Sequence, residues 1–142
     1  GGSKSGLMGE LAESVLDAGG KVTGVEPQFF VDEGFLYDRL TQLIITKDMS
    51  ERKKKMIELG DAFIAFPSGT GTLEEIAEVM SEVSLKHLEA PCILYNFNGY
   101  YDSIKGLLLH MIEMGLSSEE KQKGIYFADD LEQIKSILRV KI

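Results

Sequence analysis

Two hydrophobic periods take turns along this chain: short apolar runs of strand length, and longer stretches in which apolar residues return every three or four positions. Residues 6–18 carry Leu7, Met8, Leu11, Val15 and Leu16 on one helical face, and Gly19-Gly20 supplies the stop. A strand is predicted over 21–25, a mixed loop over 27–37, and a second strand over 43–46, where branched residues suit a buried position. A helix follows from Ser50 to about Gly60, then a third strand over 62–66 and a helix over 73–83. The fourth strand falls at 91–95, and the turn Asn96-Phe97-Asn98-Gly99 introduces a helix over 99–115. A last strand over 125–128 and a last helix over 131–140, N-capped by Asp129 or Asp130, complete the pattern. Strand and helix in strict alternation predict an α/β fold, a doubly wound parallel sheet with helices on both faces. No repeat, low-complexity tract or interdomain linker interrupts it, so residues 1–142 are expected to form a single domain.

Where the third strand hands over to its helix stands Pro67-Ser68-Gly69-Thr70-Gly71-Thr72-Leu73-Glu74-Glu75. Residues with little side chain let backbone N–H groups approach an anion closely, and the unpaired amides of a first helical turn add partial positive charge. This is the pattern of a phosphate-binding turn. Gly1-Gly2-Ser3-Lys4-Ser5-Gly6 is a second glycine-rich turn feeding a helix, but the strand that should lead into it is not in the sequence. The first strand or strands of the sheet, and part of the phosphate site, are therefore expected to precede Gly1. In doubly wound folds such turns line the carboxyl edge of the sheet, and two of them predict a nucleotide-type site.

Composition narrows the function. A net charge of −8 argues against a broad basic face for nucleic acid, since such binding rests on neutralising many phosphates. No run of about 18 apolar residues occurs, so no membrane-spanning helix is expected. Cys92 is the sole cysteine, which excludes a disulfide within the chain and predicts a reducing, cytoplasmic setting with Cys92 as a buried small hydrophobe. His87 and His110 have no metal-ligand spacing to each other or to Cys92; they are expected at the surface or at helix ends, and no metal site is expected. Neither a Gly-x-x-x-x-Gly-Lys-Ser/Thr loop nor a Gly-x-Ser-x-Gly elbow is present. The stripe Leu107, Leu108, Met111 and Ile112 fits either core or a dimer seam.

Glu75 has two readings. With Thr72 as N-cap, Glu75 occupies the N3 position of a capping box and bonds back to the backbone. Alternatively, a carboxylate beside a phosphate cradle reaches a ribose hydroxyl or an attacking water. Glu74, about 100° away around the helix, is the solvent-side neighbour. Arg52, Lys53, Lys54 and Lys55 put cations early in the helix after Ser50, where the dipole disfavours them. The lysines read as a solvated face, and Arg52 stands apart only if it points inward, where its planar fork could orient phosphate or ribose.

These residues together resemble the LOG family, cytokinin riboside 5′-monophosphate phosphoribohydrolases long mislabelled as lysine decarboxylases. Pro67 to Glu75 matches the family's Pro-Gly-Gly-x-Gly-Thr-x-x-Glu at every fixed position but one. Met49-Ser50-Glu51-Arg52-Lys53 resembles its Met-x-Glu-Arg-Lys segment, Asp61-Ala62-Phe63-Ile64-Ala65 its following strand, and Gly1 to Gly9 its Gly-Gly-x-x-x-Gly-Leu-Met-Gly loop. Asn96 to Asp102 resembles its Asn-x-x-Gly-Tyr-Tyr-Asp turn, so the similarity runs in order through essentially the whole chain.

The resemblance implies a Rossmann-like homodimer with Arg52 and Glu75 as the paired catalytic residues. It places the substrate and its 5′-phosphate against Gly2, Ser3, Gly6, Met49, Pro67, Ser68, Gly69, Thr70, Gly71 and Thr72. It also implies hydrolysis of the N-glycosidic bond of an adenosine-type 5′-monophosphate without metal or organic cofactor. Lysine decarboxylation is unattractive because no lysine stands out as a pyridoxal anchor. Ser68 replaces the first glycine of the family pair, which would cost something if that position needs positive φ. Glu82, Ser84 and Leu88 stand where many members have Trp, Gln and His, so a different base or prenyl pocket is expected. The alternative reading is a nucleotide-binding or sensing module with weak or no catalysis. A DNA-processing protein of related fold is disfavoured by the acidic charge.

Overall fold

Strand and helix alternate as the periodicity predicts, and every strand pair is parallel. The computed structural model describes residues 1–141, and its backbone gathers into two compact units, Gly1–Leu59 and a second beginning at Gly60. The architecture is α/β, parallel strands flanked by helices, as in Rossmann-like folds.

In the first unit, α1 (Gly6–Asp17) ends where expected: the amides of Gly19 and Gly20 return to the carbonyls of Leu16 and Val15. The strand β1 (Thr23–Pro27) pairs in parallel with β2 (Gln42–Thr46), in a register from Thr23 opposite Gln42 to Pro27 opposite Thr46. β1 starts two residues later than the hydrophobic run predicts. Val22 is tied instead to the turn before β2, its N–H to Thr41 Oγ1 and its carbonyl to the amides of Thr41 and Gln42. The loop expected at 27–37 contains one short helix, α2 (Gln28–Asp32), which starts after Pro27 and is clasped by Gln28 Nε2 donating to Asp32 Oδ1. One turn is too short to leave a period in sequence. Beyond β2 comes α3 (Met49–Leu59), packed against both strands.

The second unit holds a three-stranded parallel sheet in the order β3 (Phe63–Ala65), β4 (Cys92–Tyr95), β5 (Ile125–Ala128). β4 is central, and its Cys92, Ile93 and Leu94 are fully buried. Between β3 and β4 runs α4 (Thr70–Ser84), whose buried Ile76, Val79 and Val83 repeat at helical spacing. Ile93, Ala128 and Ile134 form a core to which Tyr95, Tyr126, Ile137 and Leu138 add.

The helix predicted from Gly99 begins only at Asp102, as α5 (Asp102–Glu113), because Asn98 (φ +52°) and Gly99 (φ +72°) turn left-handed just before it. A one-turn helix α6 (Glu119–Gln122), capped by Ser118, precedes β5. The last helix, α7 (Leu131–Lys141), follows it, and Asp130 rather than Asp129 is its cap, Oδ1 accepting from the Gln133 amide at 2.8 Å.

Candidate active site

The glycine motif follows β3 and becomes the start of α4. Thr72 is not the N-cap. Gly69 is, with φ −86° and ψ −164°, and its carbonyl accepts the first helical bond from the Leu73 amide. Thr72 is therefore already the third helical residue, and the capping box expected at Thr72 and Glu75 does not form in that register. Gly69, being a glycine, brings no side-chain oxygen to cap the helix. The amides of Gly69, Thr70, Gly71 and Thr72 are the ones the helix leaves without an intrahelical acceptor, and these residues are the predicted phosphate loop. A Cβ added at Gly69 or Gly71 meets nothing within 4 Å, so the space around both glycines is open. Glu75 sits one turn on, half-buried, whereas Glu74 is exposed. Ser68 does not take positive φ; among the described non-glycine residues only Lys86 and Asn98 do. The strain that a serine would bring there does not arise.

The turn at 96–102 braces this loop. Tyr101 Oη donates to the Phe66 carbonyl at 2.7 Å and Tyr100 Oη to the Ser68 carbonyl at 2.5 Å, so two phenols hold the segment on either side of Pro67. The rings meet edge to face with centroids 5.0 Å apart. Asn96, itself buried, fixes the pair by accepting the Tyr101 amide at 2.6 Å and donating to Asp102 Oδ1 at 2.8 Å. Desolvation, and then the neighbouring Tyr100, push the Tyr101 phenol above the usual tyrosine range, which keeps it a donor. A hollow of about 300 Å³ opens beside the loop, lined by Ser68, Gly69, Thr70, Leu73, Tyr100, Tyr101 and Ile104.

In the first unit the other glycine-rich turn lies against β1. Val25 donates to the Gly1 carbonyl at 2.9 Å and Tyr37 to the Gly2 carbonyl at 2.8 Å. A side chain at Gly24 would come within 3.4 Å of Gly2 Cα and 2.7 Å of Leu40 Cδ1, so close backbone approach explains this glycine without any ligand. The amides of Gly2 and Ser3 both point at the Met8 thioether, 3.3 Å away and a weak acceptor, and Gly6 leads into α1 with φ +61°.

Arg52 comes from α3, and local chemistry sets where that helix starts. Asp48 Oδ1 accepts the Glu51 amide at 2.9 Å while Glu51 Oε2 accepts the Lys47 amide at 2.6 Å, a reciprocal cap. Met49 is the first helical residue and is half-buried. Arg52 separates from the lysines as the inward-pointing reading required: it is 5% exposed, whereas Lys54 is exposed and Lys53 and Lys55 are half-buried. Its Nε donates to the Val25 carbonyl at 2.8 Å and lies 3.6 Å from Oε2 of Glu26, a buried carboxylate in β1. Glu26 lies outside every sequence motif and just past the strand predicted over 21–25; a lone carboxylate directly after that apolar run is the one signal it leaves.

The first unit thus groups Gly2, Ser3, Gly6, Met49 and Arg52, and the second groups Pro67, Ser68, Gly69, Thr70, Gly71, Thr72 and Glu75. Ser84 lines a hollow with Met80, Leu108 and Met111, and Leu88 lines another with Pro91 and Tyr126. Ser84 stands about 20 Å along α4 from Thr70 at helical rise. Glu82 Oε2 lies 3.3 Å from His87 Nδ1, and His110 pairs with Glu113 at the same distance, both histidines being exposed as expected. Cys92 is buried, and desolvation pushes its thiol up to about 12, so it stays protonated and unreactive.

Comparison with known proteins bears on the whole arrangement. The sequence model of the family described as possible lysine decarboxylase matches residues 8–138. A Rhodococcoides fascians protein named cytokinin riboside 5′-monophosphate phosphoribohydrolase is 39% identical over 141 residues, 98% of this chain and 71% of its own length. A rice protein (Oryza sativa subsp. japonica) named as a probable enzyme of the same title is 34% identical over 134 residues, 94% of this chain and 58% of its own. An Arabidopsis thaliana protein with the same title is 40% identical over 102 residues, 72% of this chain and 45% of its own. The chain therefore spans 71% of the bacterial relative's length and 45% and 58% of the two plant relatives'.

Proposed function

The chain belongs to the family described as possible lysine decarboxylase, the LOG family its motifs resemble, and from that premise we propose that it is a phosphoribohydrolase. Its substrates are adenosine-type nucleoside 5′-monophosphates, either N6-modified cytokinin forms or AMP-like, and its products free base and ribose 5-phosphate. The relatives' names support hydrolysis rather than the reaction in the family's description. The observation that carries the reading is the start of α4, a glycine N-cap with no side-chain cap, at which an added Cβ would meet nothing within 4 Å.

In this reading the 5′-phosphate sits on Gly69, Thr70, Gly71 and Thr72, drawn by the orphan amides and the helix dipole. Tyr100 and Tyr101 hold the loop in the receiving conformation, so little reorganisation accompanies binding. Breaking the glycosidic bond develops positive charge on the ribose. An ionised Glu75 stabilises that charge or orients the attacking water, and Arg52 orients the phosphate or ribose. Gly2, Ser3, Gly6, Met49, Pro67 and Ser68 complete the contacts.

The homodimer that the resemblance implies is supported by α5, none of whose residues is buried: on the face of Leu107, Leu108, Met111 and Ile112, Leu107 is exposed and the other three are half-buried. The setting proposed is cytoplasmic.

The test is release of adenine from AMP and of the prenylated base from isopentenyladenosine monophosphate, followed by chromatography. Turnover of at least one substrate is expected, and Glu75→Gln should lower kcat by about 100-fold or more. Binding without base release from either nucleotide would leave only the sensing module.

A further inference from the structure

Resting on the reading of Arg52 above, we propose that Glu26 is a positioning residue that holds the Arg52 guanidinium in its working orientation. A carboxylate in a strand whose neighbours Gly24, Val25 and Pro27 are all buried is an expensive choice, tolerated only when its charge is matched. The match is Arg52. Both side chains are 6% exposed, and Nε lies 3.6 Å from Glu26 Oε2 while donating to the carbonyl of the adjacent Val25. Consecutive residues of β1 therefore grip one nitrogen of the guanidinium, and the other N–H donors lie on Nη1 and Nη2. This grip fixes the direction of the fork before any ligand arrives, so substrate need not order a long side chain.

Glu26 also reaches the second glycine-rich turn. A Cβ placed on Gly2 would stand 3.3 Å from Glu26 Cγ, so the carboxylate's stem packs directly against the Gly2 backbone. One buried side chain thus ties Arg52 to the loop carrying Gly2 and Ser3. The role is not one of stability, because a buried ion pair is on average no better for folding than apolar residues of the same volume.

Glu26→Gln keeps the volume and an acceptor oxygen but removes the charge. The expected result is a kcat lowered about tenfold with KM within about threefold, because ground-state contacts persist while the fork is no longer held. Glu26→Asp, which keeps the charge but shortens the reach, should recover part of the loss; if Glu26→Gln does not fold, Glu26→Asp carries the cycle with a smaller loss, about threefold, expected to vanish in the Arg52→Gln background. The discriminating measurement is the double-mutant cycle: in an Arg52→Gln background, Glu26→Gln should change kcat by less than about twofold. A further loss equal to that in the wild type would overturn the proposal, since it would show Glu26 acting independently of Arg52.

A second readout needs no turnover. The ¹⁵Nε–Hε resonance of Arg52 should shift in Glu26→Gln and exchange with water about tenfold faster as the grip loosens. An unchanged resonance and exchange rate would overturn the proposal. Absence of base release by the wild type, with the resonance responding as expected, would instead count against the phosphoribohydrolase reading alone.

Discussion

The two helices that carry the proposed catalytic residues begin in opposite ways. α3, which bears Arg52, starts on a reciprocal cap in which Asp48 and Glu51 side chains consume backbone amides. α4, which bears Glu75, starts on Gly69 with no side-chain cap. Acidic groups at a helix start satisfy donors and complement the dipole, so α3 is finished as a structural element and delivers Arg52 to a fixed place. α4 leaves the same donors available and, with glycine at its N-cap, gives up only about a few tenths of a kcal/mol of capping stabilisation. The support it lacks from a cap comes from outside, through two phenols on the carbonyls of Phe66 and Ser68. A helix start can either hold the fold or, as proposed for α4, hold a ligand.

The largest effect expected from this contrast is at Glu75. Glu75→Gln should lower kcat by about 100-fold or more while leaving the thermal midpoint near its wild-type value, as measured by base release and by calorimetry. A structural role for Glu75 would reverse the two readings.

Next is the brace. Tyr101→Phe leaves the Phe66 carbonyl without its phenol donor and should cost about 1–2 kcal/mol in urea unfolding, together with weaker nucleotide binding. The variant also tests pH. The Tyr101 phenol is held above its ordinary value of about 10, so its contribution is fully present below that pH and is lost as pH rises through the folded value. Wild type should therefore lose stability on alkaline titration more steeply than Tyr101→Phe, and parallel curves would show that the phenol contributes nothing there.

Asp48→Ala should cost about 1 kcal/mol of stability by removing the α3 cap. Binding of inorganic phosphate should barely change, since the anion is assigned to the other helix.

Much of this was legible in the chain. The alternation of periods predicted the parallel α/β architecture, and the buried Cys92, the exposed histidines and the cap of α7 lie where local pattern put them. The start of α4 was not. Thr72-Leu73-Glu74-Glu75 satisfies the capping-box pattern, yet the helix begins earlier. The loop is held by tyrosines 32 and 35 positions away, which no local pattern registers. The N-cap of α3 is Asp48, with Glu51 reaching back to the Lys47 amide, whereas the residues alone suggest a start at Ser50. Glu26 went unnoticed for the same reason as the tyrosines: its partner lies on another element, and a single acidic residue in a strand has no period. The tyrosines and Glu26 both make contacts distant in sequence, and those contacts shape the candidate site.

The smallest effect expected is at Ser68. Because its backbone is not left-handed, Ser68→Gly relieves no strain, and stability and kcat should stay within about 1 kcal/mol and threefold of wild type.

The central claim is that the uncapped start of α4 is the anion site, and Gly69→Asp tests it most directly by giving α4 the kind of cap that α3 has. The backbone at Gly69 is extended and a Cβ there meets nothing within 4 Å, so the fold should tolerate the change, with stability equal or a few tenths of a kcal/mol higher. The new carboxylate would occupy the amides and repel a phosphate. Calorimetric titration with AMP should show affinity reduced by about tenfold or more, with the thermal midpoint retained. Unchanged AMP affinity in a folded Gly69→Asp protein would contradict the account.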